Sequence, residues 1–541
     1  MEITPDQTTR DFKFFEELKG LRVNWDWLWQ RIADFVIPTK ADFVITRFQG
    51  QRRDQQIFDT TAPWALSQLA AGLHTLLTSQ ALPWFYLTIR DRSLLGRQDV
   101  GIWLEDIRSR INAVFNDPAS RFQSQLHEVY NDLGAFGTAV LDVQYDKGIR
   151  FTNRYLGECF MSETHYGMVD TMFRGFGLPY YRIVDLFGEK AIDEKTRKAG
   201  EKDVFHLFPL LHAVTPNPDS GFGSRYYLFD TRKLLRSGSF KAFPYITPRW
   251  KKSSIEHYGR SPAMECLGDI LMINDMQKSY LRAAHKALSP PLMVPDGGYL
   301  QSINLKPDST IYYDATMPGE VKYLESRGEF PVGEKIMEMK QQAIVRAFYV
   351  DMLQLPGGLM PGAKNQNTYM TATEAMIRRE NSMRTIGPII SRLQTELLSP
   401  LISRVFELMR RQRSIPPAPS QIVGHDLDLT YVSPLSIAQS GAEVDNFTRF
   451  FTQIQPIAAL DQTILDSVNL PEVPVYLARK YHIPMTLMRT QEQVQAVQQQ
   501  RAQAQQAQVD EIQANKNLTD ARRNTEYSKQ MLAYAGQNRA T

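Results

Sequence analysis

Cysteine is nearly absent. Only Cys159 and Cys266 occur in 541 residues, so no disulfide framework can hold the chain together, and the pair suits a reducing cytoplasm. An excess of one charge is missing too. Against 62 Lys and Arg stand 59 Asp and Glu, a net charge of +3, whereas a tight nucleic-acid binder carries a strong basic patch. No long apolar run is present. The most apolar stretch, PWALSQLAAGLHTLLTSQALPWFYL, is broken by Ser67, Gln68, His74 and Gln80. It reads as an amphipathic helix and not a membrane span, so no membrane partner is expected. The opening MEITPDQTTRDFKFFEELKG is polar and lacks the basic-then-apolar order of a secretion signal.

Catalytic and metal signatures are equally scarce. H-E-x-x-H, C-x-x-C, G-x-S-x-G and G-x-G-x-x-G do not occur in a supporting context. The nine histidines are scattered. His425, Asp426 and Asp428 could suggest a metal cluster. On an alternating strand, however, the two aspartates share one face and read as surface charges. No catalytic residue, metal or cofactor is expected, and the chain is read as a non-enzyme.

One segment demands a closer test. LPGGLMPGAKNQNTYMTATE, residues 355–374, holds clustered glycines, a lysine and a helix start. A phosphate loop reads G-x-x-x-x-G-K-[ST], with backbone N–H groups around the phosphates and a hydroxyl on Mg²⁺. Gly357 and Gly362 have that separation, but Ala363 intervenes before Lys364, and Asn365 stands where the hydroxyl should be. Upstream lies no buried strand. GEKIMEMKQQAIVRAFYVDML is charged and helically periodic, with Ile336, Met339, Ile344 and Phe348 spaced for one stripe. The segment is a Gly/Pro-rich connector between helices.

What is present is a chain with core enough for three or four domains. Its 43% hydrophobic and 22% charged content is ordinary for a globular protein. The pattern predicts an α+β, predominantly helical fold. LRVNWDWLWQRIADFVIP places Trp25, Leu28, Trp29, Ile32 and Phe35 at helical spacing and stops at Pro38. DTTAPWALSQLAAGLHTLL offers cap residues, Pro63 in the first turn and a leucine face. A third helix is expected near Val100 to Phe115. From about Thr138, TAVLDVQY, IRFTNRYL, MVDTMFRGF, DVFHLFPLLHAV, SRYYLFD and FPYITPRW read as strands, with DKG as a turn. Ser261 can cap and Pro262 can open a rod closed by Pro290-Pro291, about 42 Å long. A β-leaning insert follows, then a second rod from about Val332 to Met352. Thr371 and Glu374 form a capping box at the start of the longest expected helix. Its stripe is Ile386, Ile390, Leu393, Leu397, Leu401, Val405 and Leu408, with kinks expected at Pro388 and Pro400. After the linker RQRSIPPAPSQ come a strand (HDLDLTYVSPL), further helices to about Met488, and a Gln/Ala-rich tail read as a solvated or self-associating helix.

Several of these segments occur together, and in order, in one known family. IFDTTAPWALSQLAAGLHTLLTSQALPWFYL, then RW…YGRSPAMECLGDILMIND…LRAAHKALSPPLMVP, then TYMTATEAMIRRE and YVSPLSIAQ resemble the head-to-tail connector, or portal, family of short-tailed DNA phages over roughly residues 20–480. The resemblance implies a ring, typically of twelve identical subunits, at one capsid vertex of the virion, assembled in the host cytoplasm. Double-stranded DNA passes through its bore during packaging and ejection. The implied partners are the packaging terminase, tail adaptor or nozzle proteins, and capsid and scaffold proteins. The implied parts are a helical and mixed α/β wing region (1–255), stem helix one (256–288), a clip (289–331) and stem helix two (332–353). A channel loop (354–370), a kinked wing helix and linker (371–419), a crown (420–488) and the Gln/Ala-rich helix (489–541) follow. Within the implied channel loop, Gly357, Gly358 and Gly362 supply bends, Met360 lies between them, and Lys364, Asn365, Gln366 and Asn367 supply polar groups. Ring symmetry would turn each of these into a ring of identical groups facing DNA. A near-neutral chain is compatible with contact that slips, since each phosphate neutralised by Lys or Arg adds a counterion-release contribution. Competing expectations are a tail tube, which would be sheet-dominated, a scaffold, which would be helical and charged throughout, and a packaging ATPase, which the broken phosphate loop opposes.

Overall fold

The computed structural model describes residues 5–46, 48, 50–80, 83–89, 98–219, 221–296, 306, 309–314, 321–323, 330–353, 385–422, 427–431, 447–454, 473–474, 477 and 491–537. The chain divides into two compact units. One comprises Met1–Tyr86, Ile107–Pro417 and Leu429–Ser433, and the other Leu87–Asp106, Ala418–Asp428 and Pro434–Thr541.

The chain begins with α1 (Pro5–Val36), α2 (Thr61–Leu77), β1 (Phe85–Ile89), α3 (Gln98–Asn116) and α4 (Phe122–Phe136), of which α1, α2 and α4 belong wholly to the first unit. Of the face expected on α1, Trp29 and Ile32 are buried, while Trp25, Leu28 and Phe35 are half-buried. Trp29 is fully buried, sits 5.0 Å from Tyr258, and its indole N–H donates to the Phe136 carbonyl at 3.1 Å. α2 buries Leu66, Leu69, Leu73 and Leu77. Gly134 lets α4 approach that face, since a Cβ there would stand 2.5 Å from Leu66 Cδ1.

Strands β2 (Val140–Tyr145) and β3 (Ile149–Arg154) form an antiparallel hairpin. Lys147, in the predicted DKG turn, takes a φ of 53°. Strand β9 (Tyr245–Ile246) pairs with β2's other edge. Only those two residues of FPYITPRW are ladder-paired; beyond them Pro248 has no N–H to give. A separate five-stranded antiparallel sheet runs in the order β4 (Cys159–Glu163), β5 (Val169–Pro179), β6 (Leu207–Asn217), β7 (Gly221–Leu228), β8 (Leu234–Phe240). Between β5 and β6 come α5 (Tyr180–Phe187) and α6 (Glu194–Lys202). Residue alternation gives the sheet two apolar faces. Phe160, Phe173, Leu211, Ala213 and Tyr227 meet Phe12, Phe15 and Leu18 of α1. On the other face Leu210, Leu228 and Leu235 pack with Tyr180 and Ile183 of α5. A buried bidentate pair fastens α1 to the sheet: Arg225 Nε donates to Asp11 Oδ2 at 2.6 Å and Nη2 to Oδ1 at 3.1 Å, and the Tyr227 hydroxyl donates to Oδ2 at 2.9 Å.

The first rod is not one helix. Ser261 does cap, accepting from Met264 N–H at 3.0 Å, and Pro262 lies in the first turn, but α7 (Pro262–Glu265) stops after four residues. Cys266 takes non-helical angles (φ −107°, ψ 13°), and α8 (Leu267–Leu288) restarts there. Its length is therefore about 33 Å and not 42 Å. The insert contributes β10 (Leu292–Asp296), β11 (Thr310–Asp314) and β12 (Lys322–Tyr323), with β10 central, parallel to β11 and antiparallel to β12.

The second rod also breaks. α9 (Phe330–Ala347) ends before Tyr349, whose φ is 57°, and a separate short helix, α10 (Val350–Leu353), follows. The predicted stripe needs correction. Ile344 and Phe348 are fully buried, but Met337 and not Ile336 or Met339 completes the face, and Met339 is 62% exposed.

Of the helix expected from Thr371, residues 371–384, including the capping box, lie outside the described residues. α11 (385–393) passes through a π-helical turn at Gln394–Leu398 into α12 (Ser399–Arg411). Pro400 has no N–H to return to the carbonyl four residues back, and the wider turn before it takes up the mismatch where a kink was expected. The stripe residues Ile386, Leu393, Leu397, Leu401, Val405 and Leu408 are buried, but Ile389 and not Ile390 completes the buried face, and Ile390 is half-buried.

In the second unit the Gln/Ala-rich tail forms a helix, Gln491–Gln537, of 47 residues. It is the longest helix among the described residues, about 70 Å at 1.5 Å per residue, where the sequence pointed to the run from Thr371. The further strand expected after the linker is β13 (Leu427–Tyr431). The metal candidates His425 and Asp426 lie outside the described residues.

Candidate functional site: a helix pair and an arginine hub

All eight residues expected in the channel loop, Gly357, Gly358, Met360, Gly362, Lys364, Asn365, Gln366 and Asn367, lie outside the described residues. What the structure describes is how the helices before and after that segment are held.

α8 and α9 run antiparallel. Lys340 Nζ meets Asp269 Oδ1 at 2.6 Å near one end, and the Tyr280 hydroxyl donates to Glu334 Oε1 at 2.7 Å toward the other. The base of α8 is pinned by Asn274. Its Oδ1 accepts from Phe58 N–H at 2.7 Å and its Nδ2 donates to the Gln56 carbonyl at 2.9 Å. Gln341 on α9 reaches the same segment through Asp59 at 3.0 Å. Beyond that base little of α8 is covered. Only Ile270, Ile273 and Asn274 are buried, while Met272, Leu281 and Leu288 are exposed. Large apolar side chains are thus left at the surface of a firmly anchored helix pair.

The segment after β9 carries a hub around Arg249, whose side chain is 2% exposed. All five of its side-chain N–H groups find acceptors. Nε donates to Glu396 Oε2 at 3.1 Å and Nη2 to Glu396 Oε1 at 2.9 Å, a bidentate pair. The remaining donors reach Glu163 Oε2 at 2.7 Å, the Gly167 carbonyl at 2.7 Å and the His257 carbonyl at 3.3 Å. The backbone N–H of Arg249 adds a further bond to Glu396 Oε2 at 3.0 Å. Burial works against the charge of Arg249, but the bonds and attraction of Glu396 and Glu163 outweigh it and raise its pKa. For Glu163 burial again opposes ionisation, and bonds from Lys252 and Arg249 prevail, holding its carboxyl below the ordinary range.

Local structure aims each partner. Glu396 sits in the π turn before Pro400. Glu163 lies at the register shift that ends the β4–β5 ladder, a bulge that re-aims a side chain. Gly167 offers its carbonyl from a turn with φ of 79°. Arg249 itself is placed by the bridge between Thr138 and Arg249 and by the crossing of Gly137 and Gly259. There each glycine's missing Cβ leaves room for the other's backbone oxygen. The hub thus ties the helix that follows the 354–384 segment to the mixed body. A cleft of about 700 Å³ opens beside it, lined by Tyr166, Phe222, Phe243, Lys252, Arg392 and Arg404 among others. The sequence reading did not single out Arg249, Glu163 or Glu396, although the dipeptide Arg249-Trp250 was among the segments that carried the resemblance.

The chemistry of these groups is that of support. Cys159 and Cys266 are buried free thiols, each pushed up to about 12 by burial. Among the described residues no group of three or more His, Cys, Asp or Glu is arranged to hold a metal ion, and no helix is long and apolar enough to cross a membrane.

An anchored helix pair joined through a small sheet, with a mixed body fastened by buried ion pairs, makes this a predominantly helical α+β subunit. The model of the family described as bacteriophage head to tail connecting protein matches residues 12–488, and the chain belongs to that family. Among curated relatives, the portal protein of Salmonella phage epsilon15 is 29% identical over 514 residues, 91% of each chain. The probable portal protein of Bordetella phage BPP-1 is 27% identical over 90% of this chain and 89% of its own. The portal protein of Escherichia phage T7 is 22% identical over 89% and 88%. A chain of the solved neck of an empty GTA particle aligns with a TM-score of 0.34 and 11% identity, over 74% of this chain and 90% of that one.

Proposed function

We propose that this chain is a portal subunit: identical copies form a ring, twelve in the family pattern, at one capsid vertex, and double-stranded DNA moves through its bore in packaging and ejection. The observation that carries this is the family match over residues 12–488, joined by near full-length relatives that are themselves portal proteins. The anchored pair α8–α9, with Met272, Leu281 and Leu288 exposed, supports its assignment as the stem, with residues 289–331 as the clip that meets the packaging terminase and later the tail proteins. Residues 354–370, with Lys364 and Asn365 to Asn367, are the proposed channel loop, and residues 420–488 the crown. Capsid and scaffold proteins are the remaining proposed partners, first in the host cytoplasm and then in the virion. The subunit is not an enzyme in this reading, since the motor's ATPase docks as a separate protein.

Negative-stain imaging of the purified protein tests the reading. Rings with a hole of about 20 Å or more, wide enough for a duplex whose major groove alone spans ~12 Å, are expected. Monomers that hydrolyse ATP would refute it. Lys364→Ala is expected to leave rings intact and alter DNA retention, and failure of the rings would make the loop an assembly element. Deleting residues 490–541 is expected to spare the ring.

A further inference from the structure

A second cleft lies on the face of the five-stranded sheet opposite α1. The strand registers align one row across it: Arg174 on β5 faces His212 on β6, His212 faces Tyr226 on β7, and Tyr226 faces Arg236 on β8. The inner two rings stack at 3.9 Å with planes 2° apart. His212 is locked, with Nδ1 2.8 Å from the Tyr245 hydroxyl and Nε2 2.9 Å from Ser224 Oγ. Burial, helped by Arg174, Arg154 and Arg225, pushes its pKa down to about 3, so it stays neutral. The row is therefore a rigid aromatic bar with a guanidinium at each end. A third, Arg154 on β3, lines the same cleft of about 350 Å³.

Two carboxylates answer these three cations. Arg154 gives Nε and Nη2 to Asp142 Oδ2 at 3.1 and 2.8 Å, and Arg174 gives Nε to Glu158 Oε2 at 2.9 Å. That leaves Nη1 of Arg154, both Nη nitrogens of Arg174 and the whole of exposed Arg236 without acceptors among the described residues. One positive charge is uncompensated. The wall beside them is apolar: Phe176, which Arg174 covers at 4.0 Å, Leu178, Phe187, and Leu186, which is 56% exposed. Forked guanidiniums fit carboxylates bidentately, and an apolar wall next to them selects a carboxylate borne on a chain with a hydrophobic neighbour.

We propose that this cleft docks an acidic peptide segment of a partner protein, with a Glu or Asp carboxylate between Arg174 and Arg236 and an adjacent apolar side chain against Leu178, Leu186 and Phe187. The site stands apart from α8–α9, so it does not rest on the conduit reading. Fluorescence anisotropy of the assembled full-length protein with a labelled hexapeptide, two glutamates flanked by phenylalanines, tests it. Saturable binding is expected. Arg236→Gln, an exposed change, is expected to weaken it about tenfold, and Leu186→Glu to abolish it, with rings unchanged under negative stain. The proposal is overturned if the matching glutamine peptide binds equally well, if both variants bind like the parent, or if millimolar inorganic phosphate displaces the peptide completely.

Discussion

Replacing Arg249 with methionine removes five side-chain hydrogen bonds at once and leaves Glu396 and Glu163 facing a buried apolar group. Lys252 still reaches Glu163 at 2.9 Å, and Arg392 lies 3.4 Å from Glu396, so neither carboxylate is wholly stranded. Breaking a buried pair by removing one partner costs about 3–5 kcal/mol, because the uncompensated charge remains. The unit that contains the hub has about 400 residues, and at ~2.1 cal/mol/K per residue its unfolding entropy is near 0.84 kcal/mol/K. The melting temperature of that unit should therefore fall by about 4–6 °C, read by differential scanning calorimetry at pH 7. A second variant separates lost packing from stranded charge. Arg249→Met combined with Glu163→Gln and Glu396→Gln should recover more than half of the loss, since neutral amides bury at lower cost. If Arg249→Met melts within 1 °C of the parent, or if the triple variant is less stable than the single one, the hub is not the fastening described here.

Four further outcomes follow from buried groups and from one close backbone crossing. Both cysteines should be inert to a thiol reagent in the folded protein and both should react in denaturant, because thiols held near a pKa of about 12 present no thiolate at pH 8. Stability should fall as pH drops from about 6.5 toward 3, because in that range the unfolded state protonates His212 and the native state, where its pKa is about 3, does not. The urea midpoint between pH 7.5 and 5 should flatten in His212→Gln, and an unchanged slope would refute this. Below about pH 4.5 the depressed Glu163 carboxyl adds a second loss as pH falls through its folded value, and Glu163→Gln should remove that limb of the curve. Gly259→Ala should be strongly destabilising, because the added methyl would meet the Gly137 carbonyl oxygen and a shift there would displace Trp250, whose N–H bonds to that carbonyl at 2.9 Å. Urea denaturation checks it, with a loss under about 0.5 kcal/mol, an ordinary surface effect, counting against the close crossing.

What the sequence determined by itself is local. Leucines at three- and four-residue spacing placed α2 and α12, the Ser261-Pro262 start signal placed the onset of the first rod, DKG placed the β2–β3 turn, and the good helix formers of the Gln/Ala tail gave a helix. Each of these rests on contacts within a few residues, so each is legible in a short window. The order of several such segments was enough to suggest the family. Tertiary structure decided the rest. Cys266 and Tyr349 break the two rods where neither residue announces a break. A π turn precedes Pro400, and its Glu396 meets Arg249, 147 positions away. The arginine hub and the Arg174–His212–Tyr226–Arg236 row each assemble residues from three or four separate elements, and which residues face one another is set by strand register and chain crossing. Those are properties of pairing at long range, and a single sequence carries no local signal for them.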